Sequence, residues 1–252
     1  MSAITHSPDF EAAWLKVAHV DGWLTEGQAR RLFSAAGRTI AGDTVVEIGS
    51  FRGRSIVVLA TAAPVGVAIV AVEPHAGNDR GPQEIDGFAT EASVDLEVFR
   101  SNLAKAGVAD RVRHVRKFSD QAHADVTGDI ALLYVDGAHR YRAARADIRD
   151  WGRRVAPGGT LLIHDSFSSI GVTLAILREL MFGRFRYVGR SRSLAEYRAD
   201  LGDRPGSRIA NAGRQALQLP WFAKSVLIKV LLTIGVGKVW QKITGRETPW
   251  PF

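Results

Sequence analysis

Two short runs in the second half of the chain hold the side chains best suited to chemistry, YVDGAHRY (134–141) and LLIHDS (161–166). Each closes an apolar strand pattern, so Asp136 and the His164-Asp165 pair fall at neighbouring strand ends. Two carboxylates facing one space repel each other unless one is protonated or a cation bridges them. Magnesium takes oxygen ligands and keeps several waters, so it would relieve that repulsion, hold a substrate hydroxyl and lower its pKa. His139 stands three residues after Asp136. With an unperturbed pKa of about 6.5, histidine suits a general base near neutral pH. His164 is the rival base, but strand alternation is expected to turn it to the side opposite Asp165. The plainer reading is that both aspartates simply cap loops and the helices that follow.

A second constellation lies upstream. VVEIGSFRGRS (45–55) is a strand, a glycine-bearing turn and a helix start. Gly49 can take positive φ and admit a ligand to the backbone, and Gly53 lets loop and helix pack closely. The spacing E-x-G-x-x-x-G lacks the middle glycine of a dinucleotide fingerprint and the lysine of a phosphate loop. Another strand, VAIVAV (67–72), ends in Glu73. An acid there can accept hydrogen bonds from both ribose hydroxyls. A ribose clamp without a phosphate cradle suits a nucleoside without phosphates, and S-adenosylmethionine fits that description.

The elements that must position these groups alternate along the chain. Strands are expected at 44–48, 67–72, 111–116, 130–135 and 159–164, with helices at 54–63, 92–106, 140–153 and 170–182. Apolar strands separated by amphipathic helices imply a buried parallel sheet with right-handed crossovers. Strands 185–190 and 193–198 flank Ser191-Arg192 and suggest an antiparallel hairpin. Residues 8 to about 40 read as helices, with Thr25-x-x-Gln28 resembling a capping box. The polar insert 74–91 lies beside the expected site, where His75, Asp79 and Arg80 could contact an acceptor or simply be solvated.

Taken in order, the loop, Glu73, VDGAH, HD and the closing hairpin resemble class I S-adenosylmethionine-dependent methyltransferases across roughly residues 40–200. EIGSFRGRS is especially similar to the loop of the metal-dependent catechol and caffeoyl-coenzyme-A O-methyltransferases, and macrocin-type sugar O-methyltransferases are another relative. The resemblance implies an α/β, Rossmann-like seven-stranded sheet with helices on both faces. The chain as a whole would then divide into an N-terminal helical cap (1–40), a cofactor-binding domain (41–200) and a basic amphipathic tail (201–252). It also implies that Glu47, Gly49 and Ser55, with Ser50 and Gly53, surround the methionine part of the cofactor. Glu73 would hold the ribose, Ser119 and Asp120 would flank the adenine, and Asp136 would border both cofactor and acceptor. Asp136 and Asp165 occupy the positions of the relatives' metal-binding aspartates, and His139 that of the catechol enzymes' catalytic lysine. Those relatives commonly carry Asn or Asp directly after the second aspartate. Here it is Ser166, a weaker magnesium ligand.

Composition bounds the rest. With 252 residues, 46% hydrophobic and 23% charged, the chain suits one α/β domain with additions. It has no cysteine, which excludes disulfides, thiolate metal sites and a cysteine nucleophile. The N-terminus lacks a basic-then-apolar signal pattern, so a cytoplasmic location is expected. Net charge is +7, of which the last 52 residues carry +6. The main domain is therefore nearly neutral, and nucleic acid is not an expected partner.

Residues 219–246 interleave Lys224, Lys229, Lys238 and Lys242 with Trp221, Phe222 and Trp240. That pattern suits an interfacial helix on an anionic membrane surface at the inner face of the membrane. A helix packed on its own domain or in a homodimer interface is the alternative. The expected activity is methyl transfer to a hydroxyl of a sugar or glycolipid, with phenolic, amine and RNA acceptors as alternatives. A membrane-peripheral binding or scaffold protein that keeps the fold without turnover is the rival from another class.

Overall fold

Alternation at period two builds the two faces of the sheet. In the computed structural model, which describes residues 8–76 and 88–233, β1 (Thr44–Ile48) sends Val45 to one apolar cluster and Val46 and Ile48 to the other. β2 (Ala68–Val72) divides Ile69 and Ala71 from Val70 and Val72 in the same way. So does β4 (Ile130–Val135), with Leu132 and Tyr134 against Leu133 and Val135. Buried apolar residues on both sides of each strand require helices on both faces.

On the first face lie α1 (Pro8–Leu15), α2 (Glu26–Ala36), α3 (Arg54–Ala62) and α4 (Phe88–Lys105), contributing Phe10, Leu32, Ile56 and Phe99. On the second lie α5 (Tyr141–Ala146) and α6 (Ile170–Glu179), contributing Ala144, Val172 and Ile176. The remaining strands are β3 (Val112–Val115), β5 (Val155–Ile163), β6 (Arg186–Ser191) and β7 (Leu194–Arg198). The seven-stranded order is β3-β2-β1-β4-β5-β7-β6. The first five strands are mutually parallel, and β7 runs antiparallel between β5 and β6.

The expected capping box forms at the start of α2, where the Thr25 amide donates to Gln28 Oε1 at 2.7 Å. The other end of Gln28, fully buried, donates to Ser193 Oγ at 3.0 Å and ties α2 to the β6–β7 turn. Glu196 of β7 bridges Arg31 and Arg38, each at 2.6 Å. The first helices are thus built into the sheet's core and its antiparallel end.

Several expectations change. The helix expected over 140–153 is α5 followed by a π-helical turn, Asp147–Trp151, which carries Asp147 inward. α4 begins at Phe88, before the expected 92. Downstream of the sheet stand two helices, α7 (Pro205–Ala216) and α8 (Leu219–Thr233). α8 covers the described part of residues 219–246 and packs on its own domain. Phe222 meets the second apolar cluster, Ser225 is buried, and the Arg190 guanidinium lies 4.3 Å over the Trp221 ring. Trp240, Lys238 and Lys242 lie outside the described residues.

Candidate active site

A cavity of about 430 Å³ opens at the carboxyl ends of β1, β2 and β4. Gly49, Glu73, Ser119, Asp120 and Asp136 all line it. Gly49 has φ +85°, and a Cβ there would stand 2.3 Å from the Asp136 carbonyl oxygen. The first loop can therefore lie against the fourth only because that side chain is absent. Gly53, at φ +86°, caps α3 where a Cβ would meet Leu103 and Phe99 of α4.

Glu73 does more than face the cavity. Its Oε2 accepts from the amides of Ser50 and Phe51 at 3.0 Å each, and its Oε1 from the His75 amide at 2.9 Å. The carboxylate thus holds the glycine loop in shape, and Oε1 retains capacity toward the cavity. His75 does not reach outward as an acceptor contact. It is buried, its Nε2 lies 2.9 Å from the Phe51 carbonyl, and its ring packs on Phe99 and His114. Asp79 and Arg80 of the expected flap lie outside the described residues.

At the far end of the cavity, Ser119 Oγ donates to Asp147 Oδ1 at 2.5 Å. Burial pushes the Asp147 carboxyl up to about 6. Asp147, Phe118 and Gln121 are lining residues that sequence reasoning missed. Nothing in a helical pattern marks Asp147 as inward, because the π turn that rotates it leaves no spacing signature.

Beside the loop, a smaller hollow is lined by Asp21, Trp23, Ser50, Ser55 and Asp136. Glu47 is fully buried on β1 nearby; its Oε2 accepts from Ser50 Oγ at 2.5 Å, while Oε1 has no hydrogen-bond partner. Burial raises its pKa from 4.5 to about 8, with Ser50 and Ser55 opposing and Asp136 and Glu73 adding to the rise. A buried acid with an unmet acceptor favours a cation next to it. That fits the sulfonium and ammonium of S-adenosylmethionine.

The third group stands at the ends of β4 and β5. His139 Nε2 lies 2.5 Å from Asp165 Oδ2, and Tyr134 Oη donates to Asp136 Oδ2 at 3.0 Å. Ligand atoms of Asp136, His139 and Asp165 all fall within 4.8 Å of one another, a donor set of oxygen and imidazole that suits a divalent cation. Burial alone would raise Asp165, but His164 and His139 outweigh it and hold the carboxyl well below the usual range.

His164 is not turned away. Tyr134 pairs with Leu162, so Asp136 and His164 follow on the same face. Asp165, at φ +52°, then bends its carboxylate back toward them. His164 Nδ1 consequently stands 3.4 Å from Asp136 Oδ1 and 3.3 Å from Asp165 Oδ2. Ser166 is directed elsewhere: it is buried, its hydroxyl donating to the Ile163 carbonyl at 2.8 Å and its amide to the Ser193 carbonyl at 2.8 Å. His139, rather than Ser166, supplies the third atom of the cluster.

Residues 46–166, which span the loop, the cavity and the acidic cluster, match a family described as a methyltransferase domain. Those residues carry a methyltransferase domain. Solved structures share its fold. The O-methyltransferase NovP matches with a TM-score of 0.57 at 16% identity, over 71% of this chain and 83% of NovP. The cofactor-bound Rv0187 from MTB matches at 0.53 and 21% identity, over 79% and 92% of the two chains. A Corynebacterium glutamicum protein matches at 0.56 and 12% identity, over 79% and 93%.

Proposed function

We propose that this methyltransferase moves the methyl group of S-adenosylmethionine onto a hydroxyl oxygen of a sugar or glycolipid, assisted by a divalent cation at Asp136 and Asp165. The observation that carries the reading is the convergence of Asp136, His139 and Asp165 on one point beside the cofactor-sized cavity. The cofactor supplies an electrophilic methyl on sulfur, and a divalent cation supplies a Lewis acid that lowers the pKa of the hydroxyl.

The chain's own residues do the remainder. With His139 Nε2–H donated to Asp165, the free lone pair lies on Nδ1, the atom that takes the hydroxyl proton as the oxygen attacks. Asp165 fixes the imidazole's tautomer and stabilises the imidazolium, the role of the carboxylate in a serine-protease triad. Glu47, with Ser50 against it, sets an acidic wall for the cofactor's cationic end, and Glu73 keeps the loop in shape.

A hydroxyl on a lipid-linked sugar agrees with α8, whose Leu227 and Val230 are 58% and 50% exposed within a tail of net charge +6. Among the described residues no helix is long and apolar enough to cross a membrane. The attachment proposed here is peripheral, through apolar side chains and lysines on one helix. A transfer assay with labelled S-adenosylmethionine over sugar and glycolipid acceptors, with and without chelator, tests the reading. Chelator-sensitive labelling restored by magnesium is expected. Undiminished labelling in chelator removes the metal, and labelling only of phenols, amines or RNA removes the acceptor class.

A further inference from the structure

Asp165 is held in an unusual backbone. It has φ +52°, and Phe167, two residues on, has φ +56°. Neither is glycine, and a left-handed conformation persists at such residues only where the surroundings enforce it. Within the turn, the amides of Ser168 and Ser169 donate to the Asp165 carbonyl at 3.2 and 2.9 Å. Ser168 Oγ donates to the Asp165 carboxylate at Oδ1, 3.3 Å away. Those bonds close the turn, but they do not fix Ser168 from outside.

A restraint from outside the turn comes from α8. Lys229 Nζ on α8 donates to the Ser168 carbonyl at 3.0 Å and contacts Ser168 Oγ at 3.2 Å, across 61 positions of sequence. We infer that Lys229 is a positioning residue: through Ser168 it holds the turn that aims the Asp165 carboxylate at His139, so that α8 is part of the active site. The inference rests on the reading of Asp165 and His139 as one catalytic pair. Burial lowers the pKa of Lys229 while the charge of Asp165 opposes the fall, as expected of an ammonium drawn in toward that carboxylate. Phe222 and the Arg190–Trp221 stack seat α8 on the domain, so Lys229 is delivered by a docked helix.

The test uses the full chain saturated with S-adenosylhomocysteine. Imidazole nitrogen and proton resonances are recorded for wild type, Lys229→Met, Lys229→Arg and Ser168→Ala, with His139 assigned by His139→Gln. Wild type should show a His139 Nε2–H shifted downfield by its bond to Asp165, and Asp165→Asn should remove that signature. Lys229→Met and Ser168→Ala should each weaken or shift it, Lys229→Arg should restore it in part, and affinity for S-adenosylhomocysteine should stay within about twofold.

A His139 signature unchanged in Lys229→Met overturns the inference while leaving the pair intact. If Lys229→Met does not fold, an unchanged signature in Ser168→Ala overturns it equally. A wild-type His139 without the signature overturns the catalytic pair itself, and the inference with it.

Discussion

His139 Nε2 and Asp165 Oδ2 meet at 2.5 Å, joining the loop after β4 to the turn after β5. The contact is charge-assisted and partly shielded from water, conditions under which a hydrogen bond holds geometry well. It also makes the imidazole's tautomer a consequence of where β5 ends.

Replacing His139 with Ala should lower kcat by about 10²- to 10⁴-fold, the range for a lost general base. Cofactor affinity should stay nearly unchanged, because the large cavity is lined without His139. His164→Ala is the control. Should it prove the severe variant and His139→Ala the mild one in a labelled-methyl assay, the base assignment is reversed.

Glu47 titrates near 8 in the folded protein against 4.5 as its ordinary value. Between those values the folded state keeps a proton that the unfolded chain has lost. The stability it contributes is therefore full below about pH 4.5 and drains away as pH rises toward 8. Urea denaturation followed across that window should show the decline, and Glu47→Gln should flatten it. Seating a cationic cofactor beside Glu47 should also expel the proton. Calorimetry at pH 7 in buffers of differing ionisation enthalpy should register up to one proton released, and none with Glu47→Gln.

Gly49→Ala should disable the loop. Strain at positive φ costs about 1–3 kcal/mol, and the new Cβ would in addition sit 2.3 Å from the Asp136 carbonyl oxygen. Gly53→Ala carries similar strain, but its nearest neighbour is the end of the Leu103 side chain, at 2.9 Å, which can move. Denaturation midpoints should therefore rank wild type above Gly53→Ala and Gly53→Ala above Gly49→Ala. The reverse order would mean that the loop and the Asp136 backbone are not in contact.

Binding of the full-length chain to anionic vesicles should weaken as salt rises, since exposed charges are screened over about 10 Å at 0.1 M. Each lysine near the surface adds roughly 1 kcal/mol. Leu227→Glu with Val230→Glu, two positions exposed on α8, should reduce sedimentation with vesicles without disturbing the helix's buried side. Equal sedimentation of the double variant would move the contact away from α8.

Strand periodicity made the sheet legible, because Val, Ile and Leu buried on both faces leave little freedom of assignment. The start of β5 was not, since the register with β4 jumps from Ile130↔Val155 to Leu132↔Thr160. An irregular segment holding Pro157 and Gly158 does not read as strand. At the site, residue types located the acids and the histidines, whereas their aim depended on backbone that spacing does not encode. Asp165 faces His139 only through a left-handed residue, and Asp147 enters the cavity only through a π turn. Lys229 lay beyond reach for another reason: its partner Ser168 is brought near by the docking of a whole helix.

The placement of β7 between β5 and β6 imposes an order on biosynthesis. The strands that bound the cofactor cavity, β1, β2 and β4, are complete once residue 135 has left the ribosome. β5 carries His164 and Asp165 at its end, yet its outer edge has no neighbour until Leu194–Arg198 arrives. A nascent chain between those points exposes an apolar strand with unpaired amides and carbonyls, the kind of edge that recruits other chains. Chaperone engagement and aggregation should therefore concentrate in that interval of synthesis, and a strand-breaking change in β7 should reduce soluble yield more than one in the outermost β6.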